Sequence, residues 1–450
     1  MDSHKIINCY DSHVHWQATG EMATRLQLGQ LRRPEDILRL NVEPHHWQGE
    51  WLRGFGWDDN LWPETSPPHR SLLDQRWPDQ PVCLSRADGH AFWVNSQVLK
   101  MIGWLDPNGK LKPVRLSAGG EVVLDSAGQP TGVLVDRAKA AVEAILPKST
   151  ESQICGFLMR GMKIFNQAGF THIRDLSGDP DHWLEARRLE ESGLLSLAVE
   201  QFFFVDDPQD YQRALKWALR ARTEESENLR VGGVKVYLDG ALGSEGALLS
   251  APYRCHHSHP STGLSLMGDE LLVDILETCW AEGMPVAIHV IGDQACHRVA
   301  KAARQIWDRG VQGELHMEHS QLMRPETVEL LKGQSLRCHM QPCHWLSDRL
   351  WLREKLGEEL FTYAFPWRLL QESGISFDFG SDSPIARPSV ADNFKAIELS
   401  AEEGIPRLLG ALESYHSHPD QAWTPATFTQ FDRDWKVERV VFRGQDISLT

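Results

Sequence analysis

The sequence predicts an α/β protein built on a (β/α)₈ TIM barrel, with a subdomain inserted after the first barrel strand. Short apolar β-type runs alternate with amphipathic helical patterns from about Gly169 to Pro384, and a further β-type run stands at the front of the chain. Polar residues follow these runs where each one ends. Alternating β and α units imply a parallel sheet with right-handed crossovers.

Seven β-type runs occupy the alternating segment. They are GFTHIRD (169–175), LSLAVEQFFFVD (195–206), VGGVKVYLDG (231–240), PVAIHVIGD (285–293), ELHMEHSQ (314–321), SLRCHMQP (335–342) and SFDFGSDSP (376–384). A barrel needs an eighth strand, and KIINCYDSHVH (5–15) supplies it. An open doubly wound sheet is the alternative. It is less favoured, because polar residues at so many strand ends are typical of a barrel's C-terminal face.

The remaining segments set the domain organisation. We expect a first barrel strand (1–15), an inserted subdomain (16–149), the rest of the barrel (150–400) and a C-terminal helical segment with a β remnant (401–450). The insert is rich in Trp, Pro and Gly, as in WLRGFGWDDNLWPETSPP (51–68), and KVERVVFRGQDI (436–447) predicts a β-hairpin or paired strands. Helices are predicted over 269–283 and 294–310, each ending in a glycine that is typical of a helix C-terminus.

Composition limits the partners and the compartment. The 450 residues include 46 basic and 62 acidic side chains, a net charge of −16 that would repel a phosphate backbone. No stretch approaches the ~18 apolar residues of a membrane helix, and MDSHKIINCY lacks the basic and apolar regions of a secretory signal. The eight cysteines form no CxxC pair. We therefore expect free thiols in a cytoplasmic protein that binds neither nucleic acid nor membrane.

The strongest chemical signal is a set of histidines and one aspartate at strand ends. His13 and His15 are two residues apart, so in a strand both imidazoles point to one face and can reach one ion. His289, His319 and Asp382 lie near the ends of later runs. Each alone could be a hydrogen-bonded core histidine or a turn aspartate. Together they predict a centre for a divalent metal.

Lys235 stands inside the apolar run GGVKVYLDG, where an unpaired ammonium group is costly. Two interpretations stay open from the sequence. The lysine could extend to solvent or pair with Asp239, or it could react with CO₂ to give a carbamate whose two oxygens can bridge two metals. Burial favours the second reaction by lowering the amine pKa.

Ordered motifs add a family resemblance. They are DSHVH (11–15), VKVYLDGALGSEGALLSAPY (234–253), AIHVIGDQA (287–295), MEHSQL (317–322), MQPCHW (340–345) and FGSDSPI (379–385), with GFGWDDNLW (54–62), PVCLSRADGHAFWVNSQVL (81–99) and GQPTGVLVD (128–136) in the insert. By these motifs the chain resembles amidohydrolase family 3 of the amidohydrolase superfamily, the branch with YtcJ-like proteins and N-substituted formamide deformylases. The resemblance runs from the first residues to about Ser389.

The resemblance implies a barrel of the metal-dependent hydrolase type that holds two divalent ions, with zinc expected. It implies that His13 and His15 bind the more buried ion. Lys235, as a carbamate, would bridge that ion to a second one held by His289 and His319. Asp382 would contact a metal and carry the proton. A small β-domain formed by the chain termini also belongs to the family. We expect a reduced form, because little sequence precedes DSHVH and only KVERVVFRGQDI matches its later part.

Several side chains are candidates for the substrate side of the site, by family match and by position in the insert. They are His90, His344, Trp57 and Trp93, with His344 or His316 as a possible assistant in catalysis. His90 and His344 either touch substrate or make a structural hydrogen bond. Glu245 and His316 stand where the family leads us to expect arginines, which bears on substrate recognition more than on metal binding. Asp293 is expected to cap the helix that follows it.

The predicted reaction is hydrolysis of a C–N bond by metal-activated water. An N-acyl or N-formyl amine with an apolar or aromatic group is the expected small-molecule substrate. Deamination, or hydrolysis of an ester or cyclic imide, would use the same scaffold and stays open. A catalytically silent binding protein is the alternative of another class, and the complete set of site residues argues against it. The sequence leaves open whether the chain forms a homodimer.

Overall fold

The computed structural model describes residues 3–62, 67–106, 108–112, 120–254 and 261–449. The chain begins with β1 (His4–Ile7), β2 (Tyr10–Val14) and α1 (Trp16–Met22). The insert follows with β3 (Leu26–Gln27), β4 (Trp47–Gln48), β5 (Trp51–Trp57), α2 (Arg70–Arg76), β6 (Val82–Arg86), β7 (Ala91–Val94), α3 (Ser96–Met101), β8 (Gly120–Leu124), β9 (Pro130–Asp136) and α4 (Ala140–Glu143).

Strands and helices then alternate through the rest of the chain. They are α5 (Glu151–Gln167), β10 (His172–Gly178), α6 (Pro180–Glu191), β11 (Ala198–Phe204), α7 (Tyr211–Arg222), β12 (Leu229–Tyr237), α8 (Asp269–Ala281), β13 (Val286–Val290), α9 (Asp293–Trp307), β14 (Leu315–His319), α10 (Pro325–Leu331), β15 (Leu336–Met340), α11 (Trp345–Asp348), α12 (Leu352–Phe361), α13 (Trp367–Glu372), β16 (Ser376–Phe379), α14 (Val390–Glu402), β17 (Phe428–Phe431), β18 (Val437–Phe442) and β19 (Gln445–Asp446).

Eight parallel strands form the barrel sheet, in the order β16-β15-β14-β13-β12-β11-β10-β2. The first and last strands of this order meet where the backbone N–H of Asp382 donates to His13 O at 2.8 Å and that of His15 donates to Ser383 O at 2.8 Å. The predicted α/β barrel is therefore confirmed. The backbone contact that closes the barrel involves His13, His15 and Asp382, three of the site residues predicted from the sequence.

The first β-type run divides between two sheets, which the sequence did not predict. Residues 5–15 were expected to form one barrel strand, but Asn8 adopts a positive φ of 48°. Positive φ breaks an extended run, and asparagine tolerates it better than most residues. As a result β1 pairs antiparallel with β17, and only β2 joins the barrel. The strands β1, β17, β18 and β19 form the small sheet expected from the termini.

The insert carries its own sheet, with strand order β3-β5-β6-β7-β9-β8 and β4 added beside β5. One hydrophobic core of this sheet contains Trp57 and Trp93, which are 1% and 0% exposed. This sheet lies inside the range predicted for the insert, 16–149, whose boundaries stay predictions. Because β2 leads directly into α1, the inserted segment starts beside His15.

Helices pack on the outside of the barrel as the apolar periodicity predicts. The predicted glycine signals hold for α8 and α9, since Gly283 and Gly310 follow them with positive φ of 64° and 83°. The expected cap at Asp293 is wrong. Gly292 occupies the cap position, while Asp293 accepts a hydrogen bond from Ser250 N at 3.0 Å and pairs with Arg324 at 3.2 Å.

Two further findings concern the described part of the chain. None of its helices is both long and apolar enough to span a membrane. The seven cysteines described there are all free, and Cys255 lies outside the described residues.

Candidate metal centre and substrate cavity

Four histidines and one aspartate meet at the C-terminal ends of the barrel strands. His13 and His15 come from the end of β2, His289 from β13 and His319 from the last position of β14. The ring centroids of His13 and His319 are 4.7 Å apart, and those of His289 and His319 are 4.5 Å apart. Asp382 joins them from the loop after β16.

The carboxylate of Asp382 lies among these rings. Its Oδ1 is 3.1 Å from His15 Nε2 and 3.3 Å from His13 Nε2, and its Oδ2 is 4.0 Å from His319 Nδ1. One ligand atom each from His13, His319 and Asp382 lies within 4.8 Å of the other two. Burial raises the pKa of Asp382, but the neighbouring histidines, His13 first, together outweigh burial and hold that pKa well below its usual value.

Unusual backbone conformations bring two of these side chains into place. His319 has φ of 67° and Asp382 has φ of 57°. In a regular strand, consecutive side chains point to opposite faces. The turn at His319 lets both Glu318 and His319 contact His13, since Glu318 Oε2 lies 2.6 Å from His13 Nδ1. Strain of this kind costs about 1–3 kcal/mol per residue and is concentrated at functional sites.

Two orphaned atoms, meaning buried polar atoms without a hydrogen-bond partner, indicate whether a cation fits this centre. His13 Nε2 and Asp382 Oδ1 are both buried, and neither has a hydrogen-bond partner among the described residues. Both are ligand types that divalent metals accept. Buried polar atoms normally have partners. A cation bound between these two side chains would satisfy both atoms, so the residues fit a metal.

Lys235 lies beside the cluster on β12 and is fully buried. Its Nζ has no hydrogen-bond partner in the described part of the chain and lies 4.5 Å from the centroid of the Tyr237 ring. Burial lowers the pKa of Lys235 to about 8. The alternative pairing with Asp239 finds no support, because that carboxylate accepts from the backbone N–H groups of Leu248, Ile291 and Gly292 at 2.8–3.0 Å.

Glu318 and Arg174 belong to the site, and sequence reasoning missed them. Glu318 is fully buried, and its Oε1 accepts from Arg174 Nη1 at 2.8 Å. Burial raises the pKa of Glu318, but Arg174, His339 and His13 together outweigh burial and leave that pKa well below its usual value. The sequence does carry a signal for Glu318, because a glutamate inside the buried strand LHMEH is as costly as Lys235 on β12.

A cavity of about 360 Å³ opens onto this centre. His90, His289, His319, His344 and Asp382 line its metal side. The wall also carries apolar side chains and several charged ones. The apolar set includes Phe55, Leu61, Leu242, Trp351 and Ile385, and the charged set is Asp58, Arg86, Asp88 and Asp348. A mostly apolar wall with a few placed polar groups is typical of small-molecule sites.

His90 is a histidine of the insert that lines the metal side of this cavity. Its Nδ1 lies 2.7 Å from Asp136 Oδ1, and its ring centroid is 5.3 Å from that of His289. His344 also faces the cavity, with its Nε2 4.0 Å from Asp382 Oδ2. The structure therefore places both histidines where a bound substrate could touch them.

Other predicted residues do not reach the cavity wall. Trp57 and Trp93 lie in the core of the inserted sheet, where Trp57 Nε1 donates to Leu84 O at 2.9 Å. His316 lies deeper in the barrel, with Nδ1 2.9 Å from His339 Nε2. Glu245 follows β12 and pairs with Lys355 at 3.6 Å. Position in a matching motif did not reveal which way these side chains point.

A parallel barrel with histidines and a carboxylate gathered at its strand ends defines a class of hydrolases. A sequence model of the amidohydrolase family matches residues 10–399, and the chain belongs to this family. It is therefore a hydrolase, and membership of the family implies a divalent metal.

Two relatives are similar to the chain in sequence. YtcJ of Bacillus subtilis (strain 168), an amidohydrolase by name, is 30% identical over 389 residues, covering 83% of this chain and 69% of that protein. The N-substituted formamide deformylase of Arthrobacter pascens is 24% identical over 368 residues, covering 78% of this chain and 64% of the enzyme. The chain thus spans about two thirds of the length of these relatives.

An uncharacterised metal-dependent hydrolase from Pyrococcus horikoshii has a similar structure, with a TM-score of 0.69 and 22% identity. The match covers 99% of this chain and 89% of that one. At this identity the likeness supports the fold alone.

Proposed function

We propose that the protein hydrolyses the C–N bond of an N-acyl or N-formyl amine that carries an apolar or aromatic group. The observation that carries this proposal is the pair of orphaned atoms, His13 Nε2 and Asp382 Oδ1, because the Asp382 side chain also lines a mostly apolar cavity. Metal ligands beside a substrate-sized cavity suit hydrolysis. The similarity to an N-substituted formamide deformylase favours an amide substrate.

We propose two divalent ions, with zinc as the first candidate. His13 and His15 would hold one ion, His289 and His319 the other, and a carbamate on Lys235 would bridge them. The burial of Lys235 and its amine pKa of about 8 support the carbamate, because CO₂ reacts with the neutral amine. A crystal structure of the metal-loaded protein tests this directly. Clear density for an unmodified Lys235 amine would contradict it.

Bound metal would lower the pKa of a water molecule towards ~7 and polarise the scissile carbonyl. The chain's own residues would handle binding and proton transfer. Asp382 lies among the ligands and can accept the proton from the attacking water and pass it to the leaving nitrogen. His90 and His344 face the same cavity and can hydrogen-bond to the amide.

We propose a cytoplasmic location. The free thiols of the described residues support it, because free thiols are typical of a reducing compartment. The only partner that we propose is the small-molecule substrate.

A product screen tests the function. Metal-loaded protein is incubated with N-formyl and N-acyl arylalkylamines, and the released primary amine is measured beside free ammonia. Amine release without ammonia is expected. Ammonia release from ring substrates, or cleavage of esters or cyclic imides alone, would favour the alternative reactions on this scaffold. Absence of turnover across the screen would contradict the proposal.

Metal content tests the centre independently of substrate. The double variant His13→Ala/His15→Ala should lose most of its bound metal by elemental analysis. The variant His297→Ala, which removes a partly buried histidine from the outer helix α9, is the matched control and should retain it. Unchanged metal content in a folded double variant would contradict the assignment of His13 and His15 as metal ligands.

A further inference from the structure

Three barrel strands meet through a chain of charged and hydrogen-bonded side chains beneath the proposed metal centre. Arg174 lies on β10, Glu318 on β14 and His13 on β2. All three are fully buried. Arg174 Nη1 donates to Glu318 Oε1 at 2.8 Å, and Glu318 Oε2 lies 2.6 Å from His13 Nδ1. The two oxygens of one carboxylate therefore connect a guanidinium group to an imidazole.

This arrangement determines which nitrogen of His13 carries the proton. An ionised carboxylate only accepts hydrogen bonds, so Glu318 requires a proton on His13 Nδ1. In the neutral ring Nε2 then presents its lone pair. That atom lies 3.3 Å from Asp382 Oδ1 and has no hydrogen-bond partner among the described residues. In this tautomer, the contact with Glu318 leaves Nε2 free to bind a cation.

Arg174 contacts both Glu318 and the strand that carries His13. Besides Glu318, its Nη1 reaches the backbone oxygen of Ser12, the residue before His13, at 3.3 Å. Its guanidinium carbon lies 4.0 Å from the centroid of the Phe202 ring, a favourable contact between a cation and an aromatic face. A buried carboxylate without a partner is strongly destabilising, and Arg174 supplies the charged partner of Glu318 on the side away from His13.

We infer that Arg174 and Glu318 are positioning residues that fix the tautomer and orientation of His13 towards a divalent cation. This inference rests on the metal centre proposed above and adds two residues to it. Neither residue touches the substrate cavity, since neither is among its lining side chains. Their effect is therefore expected in metal affinity, before any chemistry takes place.

The test is the dissociation constant for Co²⁺, measured by competition with a chelator on metal-free protein, together with the visible spectrum of the Co²⁺ form. Glu318→Gln replaces the carboxylate by an amide that can donate to Nδ1 and so favour the wrong tautomer. We expect roughly 10–100-fold weaker binding, the usual loss when an outer partner of a metal histidine is removed. The Co²⁺ absorption bands should also change.

Arg174 is tested by a pair of variants. Arg174→Met removes the charge and should weaken Co²⁺ binding, while Arg174→Lys keeps the charge and should restore part of the affinity. The matched control is Asp378→Asn. It removes another buried carboxylate of the barrel, one whose Oδ2 accepts from Arg337 Nη1 at 2.8 Å. This variant should bind Co²⁺ as the wild type does.

Circular dichroism and thermal melting of the metal-free proteins check the fold. If Glu318→Gln does not fold, Co²⁺ binding by the two Arg174 variants alone tests the inference. Folded Glu318 or Arg174 variants with wild-type affinity and spectrum would overturn the inference, as would an equal loss in Asp378→Asn. A wild-type protein that binds no Co²⁺ would overturn the metal centre itself, so the two failures are distinguishable without any substrate.

Discussion

The Nδ1 atom of His90 lies 2.7 Å from the Asp136 carboxylate, and this pair joins the inserted sheet to the barrel cavity. Asp136 adopts φ of 47°, a conformation rare for a residue with a side chain. Space for its carboxylate depends on Gly240, where an added Cβ would lie 2.9 Å from Asp136 Oδ2. The insert and the loop after β12 together therefore orient His90.

We expect His90→Ala to lower kcat/KM on the amide substrate by about 10–100-fold, because it removes a hydrogen bond worth about 1.5–3 kcal/mol when one partner is charged. Metal content should stay unchanged. Asp136→Asn should show a smaller loss, since the imidazole stays but is oriented less firmly. His69→Ala removes a surface histidine of the insert and is the control. Full activity in His90→Ala would show that its contact with Asp136 is only structural.

Asp382→Asn should lower kcat by about 10²–10⁴-fold, the usual contribution of a positioned acid–base group. Asparagine keeps the shape of the side chain but cannot take the proton. Turnover and bound metal are measured on the same preparation. Near-normal kcat with metal still bound would rule out proton transfer by Asp382.

The apolar part of substrate selection should depend on Trp351, which lines the cavity, and not on Trp57, which is buried in the insert. Trp351→Ala should reduce the preference for an arylalkyl amide over a small polar amide, measured as a ratio of kcat/KM values. Trp57→Phe should leave that ratio unchanged. Trp57→Ala should lower the free energy of unfolding by about 3–5 kcal/mol. A changed ratio in Trp57→Phe alone would reverse this assignment.

Acid should destabilise the fold through His416, whose pKa burial lowers to about 4. Its Nδ1 bonds to Tyr10 O at 3.0 Å and its Nε2 to Asn393 Nδ2 at 3.1 Å, an arrangement that suits the neutral ring. The unfolded chain takes up this proton near pH 6.5. The contribution of the neutral His416 ring to the free energy of unfolding is therefore fully present above about pH 6.5. It is lost as the pH decreases towards 4, by an amount of the order of 3 kcal/mol.

Unfolding free energy measured between pH 7 and 4 checks this expectation. His416→Gln should show a shallower decline than the wild type, while His69→Gln should follow the wild-type curve. Parallel curves for the wild type and His416→Gln would exclude His416 as a source of acid sensitivity.

Sequence reasoning reached the barrel because buried strands and helices leave different periodicities, and it reached His13, His289 and Asp382 because strand ends converge in a barrel. It missed the break at Asn8, since a single positive φ leaves no trace in an apolar pattern. It also placed Trp57 on the cavity wall. Residue type indicates that a ring is buried, but the register of β5 decides which side of the sheet buries it.

The positive φ at His319 and Asp382 and the orphaned atoms His13 Nε2 and Asp382 Oδ1 make the metal-free centre energetically unfavourable. A cation that binds only the folded state relieves part of that cost and stabilises the fold by mass action. The melting temperature should therefore rise with metal concentration, and chelation should expose the barrel mouth to faster amide exchange before it affects the small terminal sheet. For this protein, metal supply would determine thermal lifetime as well as turnover.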